Sequence, residues 1–126
     1  MKHTKSVVII GLDPSVVDYS KWPGLNAEKL RAALEGARDD LNARGYETQL
    51  CLTDTGQTAE AVVKQTLSGE TFDCVLIGAG VRTDPVHFLL FERLINVVHE
   101  HAPTARICFN TSPGDTATAV MRWIEG

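Results

Sequence analysis

Four short apolar runs punctuate the chain, and each ends in a cluster of small or polar residues before a helical periodicity begins. The first run, Ser6 to Gly11, contains the unbroken Val7-Val8-Ile9-Ile10 expected of a strand covered on both faces. A helix follows from Asn26, a favourable N-cap, with Leu30, Leu34, Ala37 and Leu41 on one stripe and a stop near Gly45. The second strand, Tyr46 to Leu52, alternates apolar and polar positions, which predicts a half-exposed edge. A short helix over Gln57 to Leu67 leads to a third, strongly apolar strand from Phe72 to Gly78. The third helix begins at Asp84-Pro85, an N-cap followed by proline, and ends before Pro103. Ala105 to Thr111 reads as the fourth strand, and Asp115 to Glu125 as the last helix.

Strict strand–helix alternation predicts a parallel sheet with right-handed crossovers. A strand order of 1-2-3-4 would put the first three helices on one face and leave much of the other bare. The order 2-1-3-4 covers both faces, with the first and fourth helices on one side and the second and third on the other. It also sends the polar second strand to an edge. The expected fold is therefore a single α/β domain over residues 1–126, a three-layer α/β/α sandwich on a four-stranded parallel sheet. It resembles a shortened flavodoxin-like fold lacking the fifth strand.

In such a sheet the four post-strand clusters gather on one rim, where this class of fold binds ligands. Thr53-Asp54-Thr55-Gly56-Gln57-Thr58 resembles the T-x-T-G-x-T phosphate loop of flavodoxins, although here it follows the second strand rather than the first. The resemblance implies an anion held by hydroxyls and free amides at a helix start. The same residues also suit an N-cap made by Asp54 or Thr55. Gly78-Ala79-Gly80 lacks the third glycine of a dinucleotide fingerprint, because Thr83 takes its place. Arg82, the arginine of these clusters, has the geometry to grip a carboxylate or phosphate, or to pair with Asp84 or Asp13. Asn110 and Thr111 close the fourth strand and are placed to orient a ligand.

The connection from Asp13 to Leu25 is far longer than the usual loop of about 4–6 residues. It reads either as a lid over the rim or as a cap in which Val16, Val17, Tyr19 and Trp22 finish the core. Response-regulator receivers are excluded, since they need an acidic pair after strand one and an aspartate ending strand three. Asp13 and Asp54 offer two carboxylates for a magnesium ion, but both also suit capping, and no metal is assigned. Ser15, Ser112 and His87 lie near the rim without a spacing that joins them into a nucleophilic site. His99 and His101 stand two apart on a helix and point in different directions.

Composition narrows the partners more than the chemistry. Twelve basic and 16 acidic residues give a net charge of -4, with no basic stretch of the kind that grips nucleic acid. Cys51, Cys74 and Cys108 fall inside strands, without metal-ligand spacing, and read as buried reduced thiols. Met1 to Lys5 leads straight into the first strand with no signal-sequence apolar region, and no run is long enough to span a bilayer. The expectation is a cytoplasmic protein. The third helix, Phe88 to Val98, is more apolar than one stripe needs, which predicts a homodimer through that helix or the fourth-strand edge.

The leading functional expectation is a domain that binds or senses a small, anionic molecule at Asp13, Asp54, Thr55, Gly78, Gly80, Arg82, Asn110 and Thr111. No cofactor is named by these residues. A small hydrolase or transferase, with Asp13 or His87 as acid or base, and a homodimeric interaction module are the alternatives.

Overall fold

The structure, a computed structural model, describes residues 4–125. Residues 1–3, which begin the segment read for a signal sequence, and residue 126 lie outside the described residues. The sheet comprises β1 (Ser6–Leu12), β2 (Glu47–Thr53), β3 (Cys74–Ile77) and β4 (Arg106–Phe109). Its order is β2-β1-β3-β4, with every neighbouring pair parallel, as the sequence pattern predicts. Among the described residues five α-helices join it: α1 (Ala27–Ala43), α2 (Ala59–Gly69), α3 (Ala79–Arg82), α4 (Phe88–His101) and α5 (Thr116–Met121).

The period-two geometry of β1 divides the core in two. Val8, Ile10 and Leu12 pack with Val63 and Leu67 of α2 and Leu90, Leu94 and Val98 of α4. Val7 and Ile9 pack on the opposite face with Ala37 and Leu41 of α1 and Ala119 and Val120 of α5. Leu94 and Leu41 anchor the two faces with no exposed surface, and each such burial stabilises the fold by about 1.5–3 kcal/mol. The edge position of β2 follows from its polar alternation: Glu47 and Gln49 are exposed, while Cys51 and Thr53 are buried.

Three local expectations change. A helical turn, α3, follows β3 directly where a loop was expected. Its first amide, that of Ala79, donates to Asn110 Oδ1 at 2.9 Å, so its cap comes from the end of β4, 31 residues away in the chain. The third expected helix starts as a 3-10 turn, Pro85–His87, capped by Asp84, before α4 begins at Phe88. The last helix stops at Met121 rather than Glu125.

The apolar excess of α4 is mostly consumed within the domain. Leu90, Leu94 and Val98 face the sheet, and Phe91, Ile95 and Val97 are partly buried against the same core. What remains outside is a patch at its start: Val86, Phe88 and Leu89 are 71, 62 and 59 % exposed. The β4 edge is partly blocked by arginines, since Arg122 donates to the Phe109 carbonyl at 3.0 Å and Arg82 to that of Asn110 at 2.8 Å. All three cysteines are buried and free. The Cys74 and Cys108 sulfurs lie 3.3 Å apart beneath α5, and this contact together with burial raises the Cys74 pKa far above the ordinary thiol value. Among the described residues no helix is long and apolar enough to cross a membrane.

Candidate functional site

The connections leaving β1 and β3 run in opposite directions, which opens a crevice between their C-terminal ends. A cleft of about 280 Å³ occupies it. Its floor is the end of β1, from Ile9 to Leu12, with Gly78, Ala79 and Gly80 beside it. Leu30 and Leu34 of α1 form one wall, and Asn110 to Pro113 another. Side chains omitted by glycine help to make the space: a Cβ built on Gly11 or on Gly80 meets no atom within 4 Å.

The long β1–α1 connection supplies the remaining wall through Val17, Asp18, Trp22 and Leu25. It is ordered as two 3-10 turns, Pro14–Val16 and Tyr19–Lys21, capped by Asp13 and Asp18. The Tyr19 hydroxyl donates to the Pro14 carbonyl at 2.6 Å and folds the segment onto itself. Lys21 crosses to Asp84 at 2.8 Å, tying the segment to the turn before α4. Both expectations for this loop are met in part. Val16 and Val17 pack on the core, while Val17, Trp22 and Leu25 line the cleft.

Of the residues expected to form the site, Gly78, Gly80, Asn110 and Thr111 line the cleft, while Asp13, Asp54, Thr55 and Arg82 do not. Asp13 accepts from the Ser15 amide at 3.0 Å and the Ser15 hydroxyl at 2.7 Å, with Arg31 at 3.5 Å. These partners, the Ser15 amide first, hold its carboxyl below the ordinary value. Arg82 pairs with neither Asp84 nor Asp13. Its guanidinium donates to the Asn110 carbonyl and sits 5.0 Å from the centre of the Phe109 ring, so it fastens α3 to β4. Among the described residues no lysine or arginine lines the cleft.

The flavodoxin-like loop after β2 closes on itself, and neither Asp54 nor Thr55 is the N-cap of α2: that position is Thr58, which makes no side-chain capping bond. Asp54 accepts from the amides of Gly56 and Thr58 and, at 2.6 Å, from the Thr58 hydroxyl. That hydroxyl is the main cause of its lowered pKa. The Thr55 hydroxyl donates to Gln57 Oε1 at 3.3 Å. A similar arrangement closes the loop after β4, where Asp115 accepts from the Thr111 hydroxyl at 2.7 Å and from the amides of Thr111 and Ser112. Asn110 is buried and spent on both sides, accepting from Ala79 and donating to Thr116 Oγ1 at 3.0 Å. Among the described residues no group of three His, Cys, Asp or Glu side chains is arranged to hold a metal ion.

His87 lines the cleft half-buried, and its ring makes no hydrogen bond among the described residues. The pairing with Asp13, Asp84 or a serine that acid–base chemistry would use is therefore not formed. His101 lies at the far end of α4, with Glu100 at 3.9 Å. The part of the site that the polar clusters did not point to is its apolar wall of Val17, Leu25, Leu30 and Leu34. One signal for it was present: the α1 stripe starts at Leu30, about two turns before Ala37 and Leu41, which reach the sheet core. No protein-family model matches the chain, and no curated protein is similar to it.

Proposed function

We propose that the protein binds a small molecule with a substantial apolar body in the cleft at the ends of β1 and β3. The observation that carries this reading is the open space above Gly11, on a central strand whose other positions are tightly packed. Native cores rarely leave such volume beside leucine and isoleucine unless something fills it. The expected anion preference finds little support. Arg82 is turned to β4, and the charged groups at the cleft are Asp18 and Asp84, the latter neutralised by Lys21.

Gly11→Val tests the reading, because its methyl groups would enter the open space without a positive φ to oppose them. A thermal-shift screen of small apolar and amphipathic compounds should give hits with the parent protein that Gly11→Val loses while it remains folded. Hits retained in full by the variant would place binding elsewhere.

A second reading, a homodimer through the start of α4, is favoured by the exposed Val86, Phe88 and Leu89. Light scattering at tens of micromolar should then give twice the 13.7 kDa chain mass, and Phe88→Glu should restore the monomer. A monomeric mass for the parent protein removes this reading.

A further inference from the structure

We infer that the outer edge of β4 is a docking site for an extended, acidic peptide segment of a partner protein, which adds to the sheet beside β4 as a fifth strand. Arg106 donates its amide inward to the Asp73 carbonyl at 2.9 Å, so the next residue, Ile107, turns its amide and carbonyl outward. Neither group has a partner among the described residues. The Phe109 amide faces the same way, beside the carbonyl that Arg122 holds. The chain after α5 leaves this edge open, because the Ile124 carbonyl accepts from Tyr46 next to β2, at the opposite end of the sheet. Open backbone donors and acceptors on an edge are a template for a further strand.

Charge selects the strand. Arg31, Arg38, Arg44 and Arg93 each lie within 3.5 Å of a carboxylate. Arg106 on β4, with Arg82 and Arg122 bonded at its end, forms no ion pair among the described residues, and neither do those two. Arg82 also has its Nη1 buried without a partner. No Asp or Glu stands between His101 and Asp115 in the chain. The carboxylates on either side are engaged, that of Asp73 by Ser6 and that of Asp115 by Thr111 and Ser112. In a chain of net charge -4, one strand edge therefore carries an uncompensated positive strip. Arg106 and Arg122 are exposed, and acidic side chains of an added strand would meet them in charge-assisted hydrogen bonds. A second copy is the poorer occupant. Its β4 edge brings the same arginines, and at its β2 edge, where Glu47 is exposed, the Thr48 amide is already bonded to Asn42 at 2.9 Å.

The probes are acetyl-Glu-Val-Glu-Ile-Glu-Val-Glu-amide, its counterpart with lysine for glutamate, the glutamate peptide N-methylated at every internal amide, and a thymidine oligonucleotide of equal charge. Each is titrated at pH 7.5 against the amide resonances of Ile107 and Phe109. The glutamate peptide should shift both amides and bind more tightly than each of the other probes by about tenfold. Arg106→Glu, at an exposed position, should weaken it by about threefold, and Arg106→Glu with Arg122→Glu by about tenfold, while the lysine peptide gains. Equal binding of the glutamate and lysine peptides overturns the inference. Undiminished binding of the N-methylated peptide or of the oligonucleotide also overturns it, by reducing the edge to a patch of charge. Absence of any shift at Ile107 and Phe109 does the same, and shifts caused by raising the protein concentration alone would make a second copy the occupant.

Discussion

The loops after β1 and β2 leave neighbouring parallel strands at the same rim, yet they are built for different ends. The β2 loop is rich in hydroxyls and carboxylate, and it turns them inward: Asp54 is surrounded by Gly56 and Thr58 ahead of α2. The β1 loop is longer and more apolar, and it turns outward over the cleft through Val17, Trp22 and Leu25. Polar residues at a strand end therefore do not by themselves mark a site. A short loop beside a helix start has orphan amides to satisfy, and its polar side chains are taken up by that task. A long loop can satisfy its backbone with internal 3-10 turns and still leave side chains free to form a wall.

Removing the polar groups assigned to structure should sharpen this contrast most. Asn110→Leu would strand the Ala79 amide and take one of two partners from the Thr116 hydroxyl, which keeps its bond to the Pro113 carbonyl, and chemical denaturation should show a loss on the order of 1–3 kcal/mol. A loss below about 0.5 kcal/mol, the range of neutral surface changes, would mean that Asn110 is free for another role.

Next in size is the apolar wall. Trp22→Ala should weaken a cleft-bound apolar probe by about tenfold, roughly 1.4 kcal/mol, while Asp54→Ala leaves its affinity unchanged. The side chain is 40 % exposed, so the tryptophan variant should stay close to the parent in stability. Equal effects of the two substitutions on probe affinity would erase the distinction between the loops.

Acid should act through the capping carboxylates, two of which, Asp18 and Asp84, also line the cleft. Asp13, Asp18, Asp54, Asp84 and Asp115 all have pKa values lowered from 3.8 by hydrogen bonds that favour the charged carboxylate. The unfolded chain consequently binds protons more readily. Stability from these groups is complete above about pH 4 and declines as the pH falls through their folded-state values. Thermal unfolding from pH 6 down to pH 2 should show that decline, and Asp54→Asn should flatten part of it. A variant that follows the parent curve throughout would show that the Asp54 charge is idle.

The smallest effect is expected at the tie between the loop and α4. Lys21→Met removes the bond to Asp84, one exposed ion pair whose loss should leave the melting temperature nearly unchanged. In a Trp123→Phe background, acrylamide should nevertheless quench Trp22 more readily once the tie is cut. Unaltered quenching would mean that packing of Val16 and Val17 alone holds the loop in place.

How far the chain could be read in advance follows from the range of the forces involved. The unbroken Val7–Ile10 run and the alternation of β2 are local patterns, and they led directly to a central strand, an edge strand and the order 2-1-3-4. The caps at Asn26 and Asp84 were legible for the same reason, since a capping side chain reaches only two or three residues along the chain. By contrast, α3 is capped by Asn110 from another strand, and Arg82 is drawn away from the rim by Phe109 and the Asn110 carbonyl. Those partners are remote in sequence. The hydrophobic periodicity of this chain thus specifies its layers and the rim where the connections diverge, because burial needs only the right face to be apolar. How Asn110 and Arg82 are engaged between elements, and where space remains above Gly11, was settled by tertiary packing, because remote hydrogen-bond partners and cavities depend on distances that no local pattern contains.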